Sequence, residues 1–166
     1  ALNNNFPIIG ICLGAQLLAY AAGGNVEPLI DPINNQLSPE IGWAPIFVSR
    51  ITNNNQFNSY FREPLSVLHW HEDRILLPKH AELIASSQRC KEQFFKIGPN
   101  AYGLQFHVEI DDTMFFRWIE EDYDFIQLAL GKDAELILKD QQNTQSSKSL
   151  QRRLSFIRAL LDLIST

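Results

Sequence analysis

Apolar residues along the chain fall into short runs and alternating segments, which polar stretches and Gly- or Pro-containing turns separate. Short runs rich in Ile, Val, Leu and Phe predict β-strands. The run at 7–12 is typical of a parallel strand buried on both faces. The predicted strands cover residues 7–12, 26–30, 41–48, 65–71, 82–86, 93–97 and 102–108.

Three further segments have apolar residues at helical spacing, which predicts amphipathic helices over 14–22, 113–130 and 148–164. Asp111 or Asp112 is expected to cap the second helix at its N-terminus. The predicted core positions of that helix are Phe115, Phe116, Ile119, Phe125, Ile126 and Leu130.

Polar segments mark the predicted boundaries. The stretch 53–56 predicts a surface loop, and the polar composition before the last helix predicts a linker. The chain is therefore expected to comprise a domain at 1–131, a linker at 132–149 and a C-terminal amphipathic helix at 150–166. That helix is expected to pack on the domain, or on a second copy to form a homo-oligomer, through a stripe of Leu150, Leu154, Ile157, Leu161 and Ile164.

The first strand and the first helix meet at a single cysteine. Cys12 has Gly10 and Gly14 two residues away on either side. A strand that turns sharply into a helix needs small residues around the turn, and the residue at the tip is strained with its side chain exposed. The helix N-terminus favours a thiolate there. A lone cysteine in an apolar strand can also be a buried small hydrophobe, but the two glycines and the helix favour a nucleophile.

A candidate base lies in the predicted strand 102–108. His107 and Glu109 are two residues apart, so on a strand they share a face. An imidazole beside a thiol can take its proton, and a carboxylate can fix the ring tautomer and stabilise the imidazolium. A strand histidine alone is often structural, but Cys12 and Glu109 favour a triad of Cys12, His107 and Glu109.

Charge and cysteine content narrow the class of protein. The 166 residues carry a net charge of −5, which does not favour a nucleic acid or an anionic membrane as partner. No apolar run approaches the roughly 18 residues of a transmembrane helix, and the short polar start of the chain does not predict a signal peptide. Cys12 and Cys90 are the two cysteines, and the place of Cys12 in the turn argues against a disulfide. A reducing, cytoplasmic location is expected.

A second motif contains side chains of the kind that bind metal ions. His69 and His71 share one face of the predicted strand 65–71, and Asp73 extends the row. This spacing can bind a metal ion. No third well-placed His or Cys follows, so we expect no metal site there.

The motifs around Cys12 and His107 resemble the class I (triad) glutamine amidotransferase family. The resemblance rests on residues 10–16 (GICLGAQ) and 105–109 (QFHVE). Residues 41–43 (IGW) and 69–73 (HWHED) are similar to stand-alone members related to the amidotransferase domain of GMP synthase. The resemblance to the family covers about residues 7–120.

The resemblance implies a three-layer α/β/α fold with a flavodoxin-like sheet, of which 1–131 would be the C-terminal two-thirds. It implies that Cys12 attacks the γ-carboxamide carbon of glutamine or another γ-glutamyl compound and that His107 moves the proton. The backbone N–H of Leu13 would hold the oxyanion, with a second donor from a Gly-rich loop that precedes the turn in the family. Gln16 and Gly14 would contact the substrate, and no cofactor or metal is implied.

Three functions follow as expectations. The first is hydrolysis of glutamine with transfer of ammonia to a synthase partner. The second is a γ-glutamyl peptidase or hydrolase with the same chemistry. The third is a catalytically incomplete, amidotransferase-like binding protein. Release of glutamate that depends on Cys12 separates the first two from the third.

Overall fold

The computed structural model describes residues 2, 6–48, 57 and 59–164. Eight strands are described: β1 (Ile8–Ile11), β2 (Asn25–Pro28), β3 (Glu40–Val48), β4 (Leu65–His71), β5 (Asp73–Leu76), β6 (Ala81–Ser86), β7 (Phe94–Ile97) and β8 (Ala101–Leu104). Six of them form one mixed sheet in the order β1-β8-β7-β6-β3-β4, with β1 and β8 parallel and the other pairs antiparallel. Strands β2 and β5 form a separate antiparallel pair.

Helices cover the sheet on both faces, which confirms the predicted α/β/α fold. The helices are α1 (Leu13–Ala21), α2 (Asp112–Glu121), α3 (Tyr123–Leu130), α4 (Ala134–Gln141) and α5 (Ser147–Ile164), with a π-helical turn at Gln142–Ser146. Neighbouring strand residues point to opposite faces. Phe95 accordingly lies in the apolar cluster beneath α1, whereas Phe94 packs in a second cluster with Phe156 of α5.

The predicted helix 113–130 is two helices. Asp111 caps α2 by accepting a hydrogen bond from the Met114 N–H at 2.8 Å. The helix then breaks at Asp122, whose carboxylate accepts a 2.7 Å bond from the Trp70 indole N–H. Phe115, Ile119 and Ile126 are buried as predicted, whereas Phe116 is exposed.

The predicted linker at 132–149 is largely helical. Helix α4 and the π-helical turn occupy most of it, and they lead directly into α5. The polar side chains that predict a linker form buried hydrogen bonds instead. Gln141 Oε1 accepts from the Trp43 backbone N–H at 2.8 Å, and Gln142 Oε1 accepts from the Trp43 indole N–H at 2.7 Å.

The buried face of α5 differs from the predicted stripe. Arg153, Phe156 and Leu160 are buried, while Leu150 and Leu154 are exposed. The Arg153 guanidinium lies 4.2 Å from the centre of the Trp43 ring. The helix therefore packs on the sheet through a face rotated by about one residue, because a buried arginine and aromatic ring occupy it.

Two other predictions concern chain segments outside these elements. The predicted strand 102–108 ends at Leu104, and His107 instead forms an isolated bridge with Leu68. The predicted loop 53–56 lies outside the described residues. Within the described part of the chain, no helix has the length and apolar character needed to span a membrane.

Candidate active site

Cys12 lies at the sharp turn between β1 and α1, as the sequence predicts. Its backbone has φ 49° and ψ −108°, a left-handed conformation that costs a non-glycine residue roughly 1–3 kcal/mol. Gly10 makes the turn possible, because a Cβ there would lie 2.5 Å from the Gly14 carbonyl oxygen. A Cβ on Gly14 would meet no described atom within 4 Å. The first glycine is thus required by the fold, whereas the space around the second is open.

Strand β4 and residue Gln105 surround the Cys12 sulfur. Sγ lies 3.8 Å from the Trp70 carbonyl oxygen, and the Gln105 side-chain amide donates to Sγ at 3.7 Å. Gln105 Oε1 in turn accepts from Gln16 Nε2 at 3.4 Å. Sequence reasoning did not assign Gln105 a place in the site, although it stands two residues before His107.

The structure brings His107 and Glu109 together and places them beside Cys12. His107 Nδ1–H donates to Glu109 Oε1 at 2.7 Å, and Glu109 Oε2 accepts from the Val108 N–H at 2.9 Å. The strand has already ended, so alternation along a strand is not the cause. The His107 backbone N–H instead donates to the Leu68 carbonyl at 2.8 Å, which fixes the ring next to β4.

The surroundings of His107 favour its protonated form. Burial works against the charged ring, but the hydrogen bonds to Cys12 and Glu109 outweigh it and raise the pKa of His107 to about 9. Because Glu109 occupies Nδ1, the ring nitrogen that remains for Cys12 is Nε2. Burial would raise the pKa of Glu109, yet the bond to His107 lowers it overall.

A cavity of about 220 Å³ opens beside the cysteine. Cys12, Gln16 and Phe125 line it together with residues 70–73. Leu13, the predicted oxyanion residue, is the first residue of α1, where backbone N–H groups have no partner within the helix. A second cavity, of about 340 Å³ and lined by Phe6 and His80 among others, lies away from this cysteine.

The second cysteine has different surroundings. Cys90 is 1% exposed, and burial raises the pKa of its thiol to about 12. Neither cysteine is in a disulfide. A thiol held neutral in this way is a poor nucleophile.

Polar groups form a second cluster behind β4. His69, His71 and Glu40 are buried there, and burial lowers the pKa of His69 to about 4. Glu40 has a lowered pKa: burial acts to raise it, but the hydrogen bond to His71 and the neighbouring rings outweigh that effect. Asp73, predicted to extend the row of histidines, contributes only its backbone carbonyl, which accepts from His71 Nδ1–H at 2.8 Å.

Comparison with known proteins identifies a family model and several relatives to which this chain is similar. The model of the family described as glutamine amidotransferase class-I matches residues 1–120. A subunit of the glutamine-hydrolyzing GMP synthase of Methanosphaera stadtmanae is 34% identical over 115 residues, which is 68% of this chain and 56% of that protein. Gamma-glutamyl peptidase 3 of Arabidopsis thaliana is 26% identical over 119 residues, covering 68% of this chain and 45% of that protein.

A solved structure matches the fold over nearly the whole chain. The crystal structure of a glutamine amidotransferase from Thermotoga maritima superposes with a TM-score of 0.71 and 32% identity, over 96% of this chain and 64% of that one. The chain spans about half the length of the curated relatives it matches.

Proposed function

This chain belongs to the class-I glutamine amidotransferase family, and on that premise we propose that it cleaves the γ-carboxamide of glutamine, or a related γ-glutamyl amide, through a thioester on Cys12. One observation carries the proposal. The strained Cys12 at the N-terminus of α1 faces His107, which Glu109 holds by a 2.7 Å hydrogen bond. Nucleophile, base and orienting carboxylate are the three parts that such a reaction needs.

The first step is attack of the Cys12 sulfur on the γ-carbonyl carbon. The raised pKa of His107 favours a protonated ring, and in this proposal the ring takes the thiol proton of Cys12 as the attack begins. The S–C bond forms, His107 gives its proton to the nitrogen, and the C–N bond breaks. Ammonia or an amine leaves, and a γ-glutamyl thioester remains.

The second step is hydrolysis of the thioester. His107, now neutral, takes a proton from a water molecule, whose oxygen attacks the same carbon. The S–C bond breaks and glutamate, or the corresponding γ-carboxylate, is released. Glu109 keeps the ring oriented and stabilises the imidazolium in both steps.

Backbone and side-chain groups at the start of α1 supply the remaining roles. The Leu13 N–H lies in the first turn of the helix, where the dipole favours the negative oxygen of the tetrahedral intermediate. Gln16 lines the cavity, and Gly14 lies two residues before it in the first turn of α1. We assign both to contact with the substrate.

Similarity to two relatives favours two different destinations for the nitrogen that the reaction releases. Similarity to the Methanosphaera GMP synthase chain, which is one subunit of a glutamine-hydrolyzing enzyme, favours transfer of ammonia to a synthase partner. Similarity to gamma-glutamyl peptidase 3 favours release of an amine from a γ-glutamyl compound. Both use the same cysteine chemistry, so substrate preference distinguishes them.

The test is release of glutamate from glutamine and from γ-glutamyl dipeptides. We expect the wild-type chain to release glutamate from at least one of them, Cys12→Ala to release none, and Cys90→Ala to match the wild type. Equal rates for wild type and Cys12→Ala on every compound would contradict the proposal and favour a binding role without catalysis.

A further inference from the structure

A second group of histidines and a carboxylate lies in the interior of the protein. The side chains of Glu40, His69 and His71 are 6%, 0% and 1% exposed. His71 is also one of the residues that line the cavity beside Cys12, but the proposed catalytic steps use none of the three side chains. Their metal-ligating atoms all lie within 4.8 Å of one another.

The antiparallel pairing of β3 and β4 creates this cluster. Glu40 is the direct cross-strand partner of His71, so the two side chains are on the same face. His69 is two residues before His71 and shares that face. The sequence shows the two histidines but not the carboxylate, because Glu40 precedes them by about thirty residues.

The hydrogen bonds of His71 determine where its lone pair points. Nδ1 carries the proton, since it lies 2.8 Å from the Asp73 carbonyl oxygen, which can only accept. In the neutral ring Nε2 is therefore an acceptor, yet it lies 3.2 Å from Glu40 Oε2, another acceptor. Either a proton on Nε2 or a metal ion must therefore lie between these two atoms.

The ring nitrogens of His69 also lack hydrogen-bond partners. Neither of its ring nitrogens makes a hydrogen bond of good geometry, although the ring is fully buried. Nδ1 lies 3.5 Å from the same oxygen, Glu40 Oε2. A proton on each ring could bridge its nitrogen to this oxygen, whereas a single metal ion would bind both nitrogens and the oxygen together.

The separations fit a tetrahedral ion. Donors at zinc bond lengths and tetrahedral angles lie about 3.4 Å apart, close to the 3.2 and 3.5 Å observed here. Two imidazoles and a carboxylate are a donor set that zinc accepts. The bond from His71 to the Asp73 carbonyl is the outer support that metal-bound histidines have.

A fourth donor is next to the cluster. Gln93 Nε2 lies 2.7 Å from Glu40 Oε2 and 3.4 Å from His71 Nε2, while Gln93 Oε1 has no hydrogen-bond partner. Turning the amide by half a rotation exchanges these two atoms and places Oε1 where Nε2 now lies, beside Glu40 Oε2, His71 Nε2 and the Ser87 hydroxyl.

We propose that Glu40, His69, His71 and the Gln93 amide oxygen form a closed, structural zinc site. The ion would join β3 and β4 to the residue before β7, behind Trp70, whose carbonyl faces Cys12. The proposal is independent of the hydrolytic activity, because it rests on the buried cluster alone.

The test is metal binding by the complete chain. The protein is stripped with a chelator and titrated with Zn²⁺, and with Co²⁺ for its visible absorption. We expect one equivalent per chain, a tetrahedral Co²⁺ spectrum and a higher melting temperature with zinc. Glu40→Gln and His71→Gln are expected to lower the affinity at least about tenfold, as loss of even a supporting group commonly does.

Two controls locate the ion. His80→Gln removes an exposed histidine outside the cluster, and Cys12→Ala removes the reactive thiol; both are expected to bind zinc as the wild type does. Binding that is lost in Cys12→Ala, or kept in Glu40→Gln, would overturn the proposal. If the cluster variants fail to fold, the wild-type titration decides alone: no stoichiometric metal, or no tetrahedral Co²⁺ spectrum, would mean that a proton bridges Glu40 and His71 instead.

Discussion

Strand β4 has a histidine–carboxylate group at each side, and the two groups differ in their access to water. In the first, called the open group, the side chain of Glu109 is 40% exposed and that of His107 is 8% exposed. In the second, the buried group, Glu40, His69 and His71 are at most 6% exposed. The pKa of His107 is raised to about 9, whereas that of His69 is lowered to about 4. The same residue types thus have opposite proton affinities in one protein.

Hydrogen bonding to the charged form accounts for the difference. His107 donates a short bond to a carboxylate and interacts with Cys12, so its charge is compensated. For His69, desolvation of the fully buried ring outweighs the opposing effects of the Glu40 charge and the Ala44 backbone. The charge of a protonated His107 is therefore well compensated, whereas that of a protonated His69 is not.

The largest expected effect comes from the open group. His107→Gln removes the proton carrier, so kcat/KM for glutamate release should fall about 10³-fold, within the range of general acid–base catalysis. The matched variant His80→Gln should keep the wild-type rate. An unchanged rate in His107→Gln would mean that the open group does not take part in the chemistry.

The buried group should control stability instead. Glu40→Gln removes the only carboxylate from the described cluster of three and should lower the free energy of unfolding by about 3 kcal/mol or more. Glu109→Gln alters a partly exposed pair and should lower it by about 1 kcal/mol or less. Urea unfolding with a chelator present measures both, and equal losses would remove the distinction between the groups.

The pH dependence of the open group has a definite sign. The folded pKa of His107, about 9, exceeds the ordinary value of 6.5. The stabilisation that comes from the protonated ring is therefore complete below about pH 6.5 and is lost as the pH rises through 9. Unfolding measured from pH 6 to 10 should show this loss in the wild type and a smaller one in His107→Gln. Equal slopes would contradict the assignment.

The smallest expected change in stability is that of a substitution at Gly14, near the start of α1. Gly14→Ala adds a methyl group where no described atom lies within 4 Å, so the free energy of unfolding should change by less than about 1 kcal/mol. The rate of glutamate release should fall, because we assign Gly14 to contact with the substrate. Gly10→Ala is the contrast: its Cβ would clash with the Gly14 carbonyl, and it should unfold more readily than the wild type.

The open site could be predicted from the sequence because its signals are local. The turn at Cys12 needs Gly10, and His107 lies two residues from Glu109. The family and the α/β fold follow from the same motifs. Even so, the contact between His107 and Glu109 comes from the bridge to Leu68 and not from a continuous strand.

The buried features could not be predicted, because each depends on distant parts of the chain. Glu40 meets His71 only through strand pairing. The polar sequence around Gln141 and Gln142 predicts a linker, but in the folded chain both side chains accept hydrogen bonds from Trp43. Arg153 is polar by any scale, yet it is buried against the Trp43 ring. Hydropathy patterns do not detect polar side chains that are buried by specific partners.

The reactivity of the two cysteines tests the central claim most directly. A glutamine analogue that carries a diazoketone is incubated with the chain, and mass spectrometry locates the adduct. We expect Cys12 to be labelled, Cys90 to be spared, and His107→Gln to slow the labelling of Cys12. Equal labelling of both cysteines, or a rate at Cys12 that does not depend on His107, would contradict the account.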